Sequence, residues 1–269
     1  MKKRVLLLLI VAVLLVIPTI VKANENDNSS SYNTKNAVLV GTTTRYLKTI
    51  NVYENVEKDS FGNIVKADLV SSDTYDLTKE EYDNADIDVS KTLVTRSTTT
   101  VETTYKRMTT TLSYSNNTYR YQNQVNWKNF PSVRSYDVIG IGHYSDVTIS
   151  GSPYFELEYY TTMGIHFKTY YYNSSSFSMG ESATFMLPLP NLSSLSIYYY
   201  YDVQKTNPYG TVTSQVAAGD YAHGIDSSLT LSEALNHDVA ATLGIVHDSS
   251  VANKFDTINE AEVYWSGSW

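Results

Sequence analysis

The sequence predicts an all-β protein, a β-sandwich with a jelly-roll-like character and about nine strands. Three observations predict it. Tyr occurs 24 times in 269 residues, and Tyr, Thr, Ser and Val dominate the chain. Such β-branched and aromatic side chains suit a pleated surface. Several segments alternate apolar and polar residues with a period of two, and clusters of Gly, Pro and Asn separate them. No period of 20 to 50 residues recurs, which argues against a solenoid or propeller.

The chain opens with Met1-Lys2-Lys3-Arg4, an apolar run from Val5 to Ile17, and Val21-Lys22-Ala23. A basic start, an apolar stretch and small residues at the outer positions form the layout of a secretory signal peptide, cleaved after Ala23. The stretch is short for a spanning helix of about 20 apolar residues. No second apolar run follows, so the mature chain is expected to have no membrane span. The leader carries four basic residues and no acid, so its removal takes the net charge from −8 to −12. A chain this acidic is repelled by nucleic acid and by anionic membranes. Cys is absent, which excludes disulfides, thiol catalysis and cysteine metal sites. An exported, cysteine-free chain of this kind has the look of a bacterial protein.

Residues 24–36 contain almost no apolar group and are expected to be disordered. Glu54 to Lys91 holds 11 acidic and 4 basic residues, against 15 and 9 in Thr92 to Trp269. This shift divides the chain into a signal peptide (1–23), an acidic N-terminal arm (24–91) and a β-sandwich domain (92–269). Within the arm, Thr78 and Glu81 stand three apart as a capping box and predict one short helix ending before Ile87.

The strands of the sandwich follow in order. Asn116-Asn117 suits a tight turn between the Thr-rich strand at 101–115 and the next. In 119–128, Tyr119, Tyr121, Val125 and Trp127 share the inner face, opposite Arg120, Gln122, Gln124, Asn126 and Lys128. Tyr136 to Gly142 reads as a buried strand, with Gly140 and Gly142 marking a bulge or corner. Phe155, Leu157, Tyr159 and Met163 alternate with polar residues, as do Ala183, Phe185 and Leu187, and Leu195, Ile197, Tyr199, Tyr201 and Val203. Gly151-Ser152-Pro153, Pro188-Leu189-Pro190-Asn191 and Asn207-Pro208-Tyr209-Gly210 read as turns. Late strands are expected at 211–217, 239–246 and 260–265.

Candidate chemistry is sparse. The pairs His237-Asp238 and His247-Asp248 lie ten residues apart, about 33 Å along one strand, too far to share a metal without a turn near Gly244. Asp83 to Asp88 lacks the glycine and distal glutamate of a helix–loop–helix calcium site and reads as a solvated loop. No Gly-x-Ser-x-Gly, His-Glu-x-x-His or phosphate-binding loop is present. No catalytic residue, cofactor or metal ligand is assigned.

The tyrosines are more distinctive. With Ile165, Phe167, Thr169 and Tyr171 inward, Tyr170 and Tyr172 face outward, and Tyr198 and Tyr200 oppose the Leu195/Ile197 face. Tyr170, Tyr172, Tyr198 and Tyr200 then form an exposed platform able to stack on sugar rings. The expected function is a secreted, non-enzymatic protein binding a surface ligand, a polysaccharide or cell-envelope component. The Ser/Thr-rich stretch Lys91 to Ser115 is similar in composition to the pore-forming strands of aerolysin-like toxins, which implies the alternative, a secreted β-type pore-forming toxin or antibacterial protein. Both faces of that stretch carry charge, which opposes insertion. A secreted glycoside hydrolase, working with two facing carboxylates, is the third reading.

Overall fold

The structure, a computed structural model, describes residues 20–22, 37–60, 63–86, 93–96, 99–177, 179–188, 191–236, 249–256 and 260–269. Its strands are β1 (Ile20–Lys22), β2 (Val38–Lys58), β3 (Ile64–Leu77), β4 (Leu93–Arg96), β5 (Thr99–Ser115), β6 (Thr118–Asn129), β7 (Tyr136–Gly142), β8 (Val147–Thr161), β9 (His166–Thr169), β10 (Tyr171–Phe177), β11 (Gly180–Met186), β12 (Leu192–Lys205), β13 (Ser214–Ala222) and β14 (Ala261–Ser266). Three short helices accompany them: α1 (Lys79–Asn84), α2 (Leu231–Leu235) and α3 (Ser249–Ala252). The strands form two antiparallel sheets. The smaller runs β1-β10-β11-β7-β13-β14, and the larger β3-β2-β5-β6-β12-β8-β9, with β4 also paired to β5. The all-β, two-sheet expectation holds, although fourteen strands stand among the described residues where about nine were expected.

The larger sheet is built on the predicted alternation. Tyr121, Val125 and Trp127 of β6, Phe155 and Leu157 of β8, and Leu195, Ile197, Tyr199 and Tyr201 of β12 are all buried. They meet Ile139, Ile141, Ala183, Phe185 and Tyr221 of the smaller sheet in one apolar core. At Gly219 of β13 the sheets approach so closely that a Cβ would lie 1.9 Å from the Thr110 hydroxyl of β5. Asn123 crosses this gap, donating through Nδ2 to the carbonyl of Asp220 at 2.8 Å. The smaller sheet is covered on its other face as well. Helix α2 lies against β7, β10 and β11, which is why Ser182 and Thr184 are buried along with Ala183 and Phe185.

Turn chemistry explains the hairpins. Asn116 and Asn117 both adopt positive φ, 50° and 63°, between the paired ends Ser115 and Thr118. Two left-handed residues match the twist of the flanking strands, and Asn tolerates that conformation. The Gly210 N–H donates to the Asn207 carbonyl at 2.9 Å, closing the predicted Asn-Pro-Tyr-Gly turn. Helix α1 begins at the predicted capping box: Thr78 accepts from the Glu81 N–H at 3.2 Å, and Glu81 accepts from the Thr78 N–H at 2.7 Å.

Three expectations change. Gly151-Ser152-Pro153 does not end a strand. It lies inside β8, where the register against β12 shifts between Tyr200 and Asp202, and Gly151 takes a φ of 80°. The extra residues are a bulge. Gly140 and Gly142 likewise sit in the paired ladder of β7, flanked by β11 and β13. Lastly, the acid-rich segment before residue 92 contributes strands to the larger sheet. β2 pairs with β5 from Val38 to Glu54 and with β3 on its other side. Arg45 ties it further, ion-pairing with Asp76 and donating to the Glu260 carbonyl at 3.0 Å. The expected strand at 239–246 lies outside the described residues.

Candidate surface-binding face

Because strand side chains alternate, burying one face of the larger sheet sends the opposite set outward. On β12 that set is Ser196, Tyr198, Tyr200 and Asp202, all half-buried. Gln122 and Gln124 of β6 lie opposite Tyr200 and Tyr198, and Tyr154 and Glu156 of β8 lie opposite them on the other side. The rings of Tyr154 and Tyr200 stack with centroids 4.6 Å apart. Arg120 covers the Tyr200 ring at 4.1 Å and grips Asp202 through two hydrogen bonds of 2.8 and 3.0 Å. Tyr170 closes edge-on against Tyr154 at 5.9 Å.

Charge pairs fix this face. Lys168 of β9 reaches Glu156 at 2.8 Å and Glu158 at 3.6 Å, and His166 meets Glu158 at 2.8 Å. The hydrogen bond to Glu156 holds the Lys168 ammonium above its ordinary range. Tyr154 donates to Glu156 at 2.6 Å, and burial, then that carboxylate, raises its phenol pKa well above the ordinary value. Burial raises Tyr200 too, against the opposing pull of Arg120. The phenols therefore remain neutral donors at physiological pH. The arrangement offers stacked rings, amides and paired charges on an open sheet. Glu156 and Glu158 are two residues apart on one strand and share Lys168, rather than facing each other across a cleft.

The four predicted tyrosines do not form one platform. Tyr198 and Tyr200 lie on the outer face as expected, and Tyr170 joins them through Tyr154. Tyr172 is only 2% exposed and packs between Phe155 and Tyr199 in the core. The reason is topological. β9 belongs to the larger sheet and β10 to the smaller, so the chain changes sheets at Tyr170 and alternation does not carry across. Tyr171 is the exposed residue there, as are Ile165 and Phe167. Tyr154 alternates regularly with Phe155 and Leu157, and its place beside Tyr200 depends on the pairing of β8 with β12, which local sequence does not mark.

The Ser/Thr-rich strand β5 is an interior strand, held between β2 and β6 with Met108 and Leu112 in the core. Its inward face also carries Glu102 and Lys106, both buried. Lys106 meets Asp256, and next to them Asp137, Tyr221 and His223 form a second hydrogen-bonded group. No sequence motif singled out these residues; the one signal was a lysine in the same alternating set as Met108. His237-Asp238 and His247-Asp248 lie outside the described residues, as does Asp88. Among the described residues, no three His, Asp or Glu side chains gather as metal ligands, and no helix is long and apolar enough to cross a membrane. An open groove of about 480 Å³ runs between β3 and residues 226–228, lined by Lys66, Asp68 and Asp226 among others.

No protein-family model matches the chain, and no curated protein matches it. Among solved structures it is similar to the major pilin subunit BcpA of Bacillus cereus, with 8% identity and a TM-score of 0.33 over 82% of this chain and 67% of that one. It is similar to the collagen-binding domain of the Erysipelothrix rhusiopathiae surface protein RspB, with 8% identity and a TM-score of 0.30 over 65% and 72% of the two chains. The major pilin SpaD of Corynebacterium diphtheriae gives 8% identity and 0.33 over 83% and 65%. Likenesses this distant carry no argument about function.

Proposed function

We propose that this chain is an exported, non-enzymatic β-sandwich protein that binds an extracellular surface component, a polysaccharide or cell-envelope constituent, on the outer face of its larger sheet. The observation that carries the reading is the Tyr154–Tyr200 stack with Tyr198 and Tyr170 beside it, bordered by Gln122, Gln124 and the Arg120–Asp202 pair. Flat rings supply area for sugar faces at low entropic cost, while amides and fixed charges supply directional hydrogen bonds. The layout of residues 1–23 supports export with cleavage after Ala23. Their removal takes away β1, whose contribution is three residue pairs against β10. The interior position of β5 weighs against a detachable membrane hairpin.

Co-sedimentation of the purified chain with isolated cell-envelope polysaccharide tests this. Saturable binding, competed by soluble fragments of the same polysaccharide, is expected. Absence of binding to every polysaccharide and envelope fraction tried would remove the reading.

A further inference from the structure

The Lys106 side chain ends in a site with no solvent. It is 2% exposed and its partner Asp256 is 0% exposed. An ammonium carries three N–H donors. Among the described residues, Asp256 is the one hydrogen-bond acceptor that Lys106 Nζ meets. Elsewhere Nζ looks onto rings, Tyr221 at 5.1 Å and Trp127 at 5.4 Å. A buried ion pair offsets its desolvation only when the remaining donors and lone pairs are satisfied. The Asp256 side is well served: Oδ1 accepts the His223 N–H at 2.9 Å and Oδ2 lies 3.5 Å from the Thr49 hydroxyl. The nitrogen side is not. An amide nitrogen would carry one N–H in place of three and no charge, and its carbonyl oxygen would keep the hydrogen bond from His223.

We propose that Lys106 and Asp256 are joined by an isopeptide bond that the folded chain forms by itself. One proton passes from Nζ to Asp256 along the hydrogen bond that joins them. The nitrogen lone pair attacks Cγ, and the His223 N–H stabilises Oδ1 as it gains negative charge. The C–Oδ2 bond then breaks, and Oδ2 leaves as water carrying two protons that began on Nζ. Atoms balance without oxidant, cofactor or activated donor. Asp137 positions the His223 N–H: it binds His223 Nδ1 at 2.9 Å and the Gly224 N–H at 3.2 Å, and it accepts from the Tyr221 hydroxyl. The bond would link interior strand β5 to the segment leading into β14 across 150 residues of sequence, in a chain that has no cysteine for a disulfide.

Intact-mass spectrometry of the purified, folded chain, denatured immediately before measurement and compared with its measured N-terminus, tests the proposal. The expected mass is lower than the sequence mass by one water, and protease digestion yields one branched peptide containing both Lys106 and Asp256. Lys106→Met and Asp256→Ala should each restore the full sequence mass. Asp256→Asn should give the same branched product as the unsubstituted chain, because ammonia leaves in place of water. Folded protein at the full sequence mass, or a water loss whose digest shows Lys106 and Asp256 in separate peptides, would overturn it. The unsubstituted chain alone decides the matter if the variants do not fold.

Discussion

Trp127→Ala probes the packing of the two sheets directly. Trp127 is 5% exposed and lies on the inner face of β6, near its C-terminal end. Its indole N–H donates to the Tyr221 hydroxyl at 3.1 Å, and its ring meets His223 edge-on at 5.3 Å. Truncation removes the ring, leaves a cavity between the sheets and deprives Tyr221 of a donor. Large-to-small changes of this kind cost about 3–5 kcal/mol. In a chain of this length that corresponds to a fall in Tm on the order of 10 °C. Thermal and urea unfolding followed by far-UV circular dichroism would measure it, with Tyr209→Ala as control, since Tyr209 is 97% exposed. The control should stay within about 0.5 kcal/mol. A Trp127→Ala cost below about 1 kcal/mol, the range of surface sites, would refute the assignment of this face to the core.

Burial raises the Glu181 carboxyl to about 7 from its ordinary 4.5, so the native state holds a proton that the unfolded state has released in that interval. Stability attributable to Glu181 is therefore fully present below about 4.5 and lost as pH rises through about 7; Glu181→Gln should flatten unfolding profiles across this window, and an unchanged slope would contradict the burial argument. Mass spectrometry of the exported product should place the N-terminus at Asn24, and that form should melt with the full chain, because β1 adds only three pairs; full-length protein retained in the membrane would contradict it. Hydrogen exchange should be faster along β3, an edge strand of the larger sheet, than along β5 and β6 inside it; uniform protection across the sheet would count against this strand order.

The alternating segments of β6, β8 and β12 were readable because each is one strand with one face in a single core. Period two then maps straight onto in and out. β2 was not readable in this way. Its inward set Leu47, Thr49, Asn51 and Tyr53 is buried but half polar, so the apolar rhythm fails although the geometry persists. Tyr172 was misplaced by the change of sheet at Tyr170, which local sequence does not mark. Within the candidate face, Tyr198 and Tyr200 followed from alternation alone. Their partners Tyr154 and Arg120 depended on strand order, on which strands lie either side of β12. Lys106 and Asp256 come together only through tertiary pairing, and a lysine at an inward position is the sole local trace of it.

The double variant Tyr198→Ala/Tyr200→Ala tests whether the outer face of the larger sheet binds a surface component. Retention on isolated cell-envelope polysaccharide should fall about tenfold, as the loss of two ring contacts worth roughly 1 kcal/mol each or less predicts. The change in Tm should be small beside that of Trp127→Ala, since both tyrosines are half-exposed on the outer face. Unchanged retention accompanied by a large loss of stability would contradict the account and return these rings to a purely structural role.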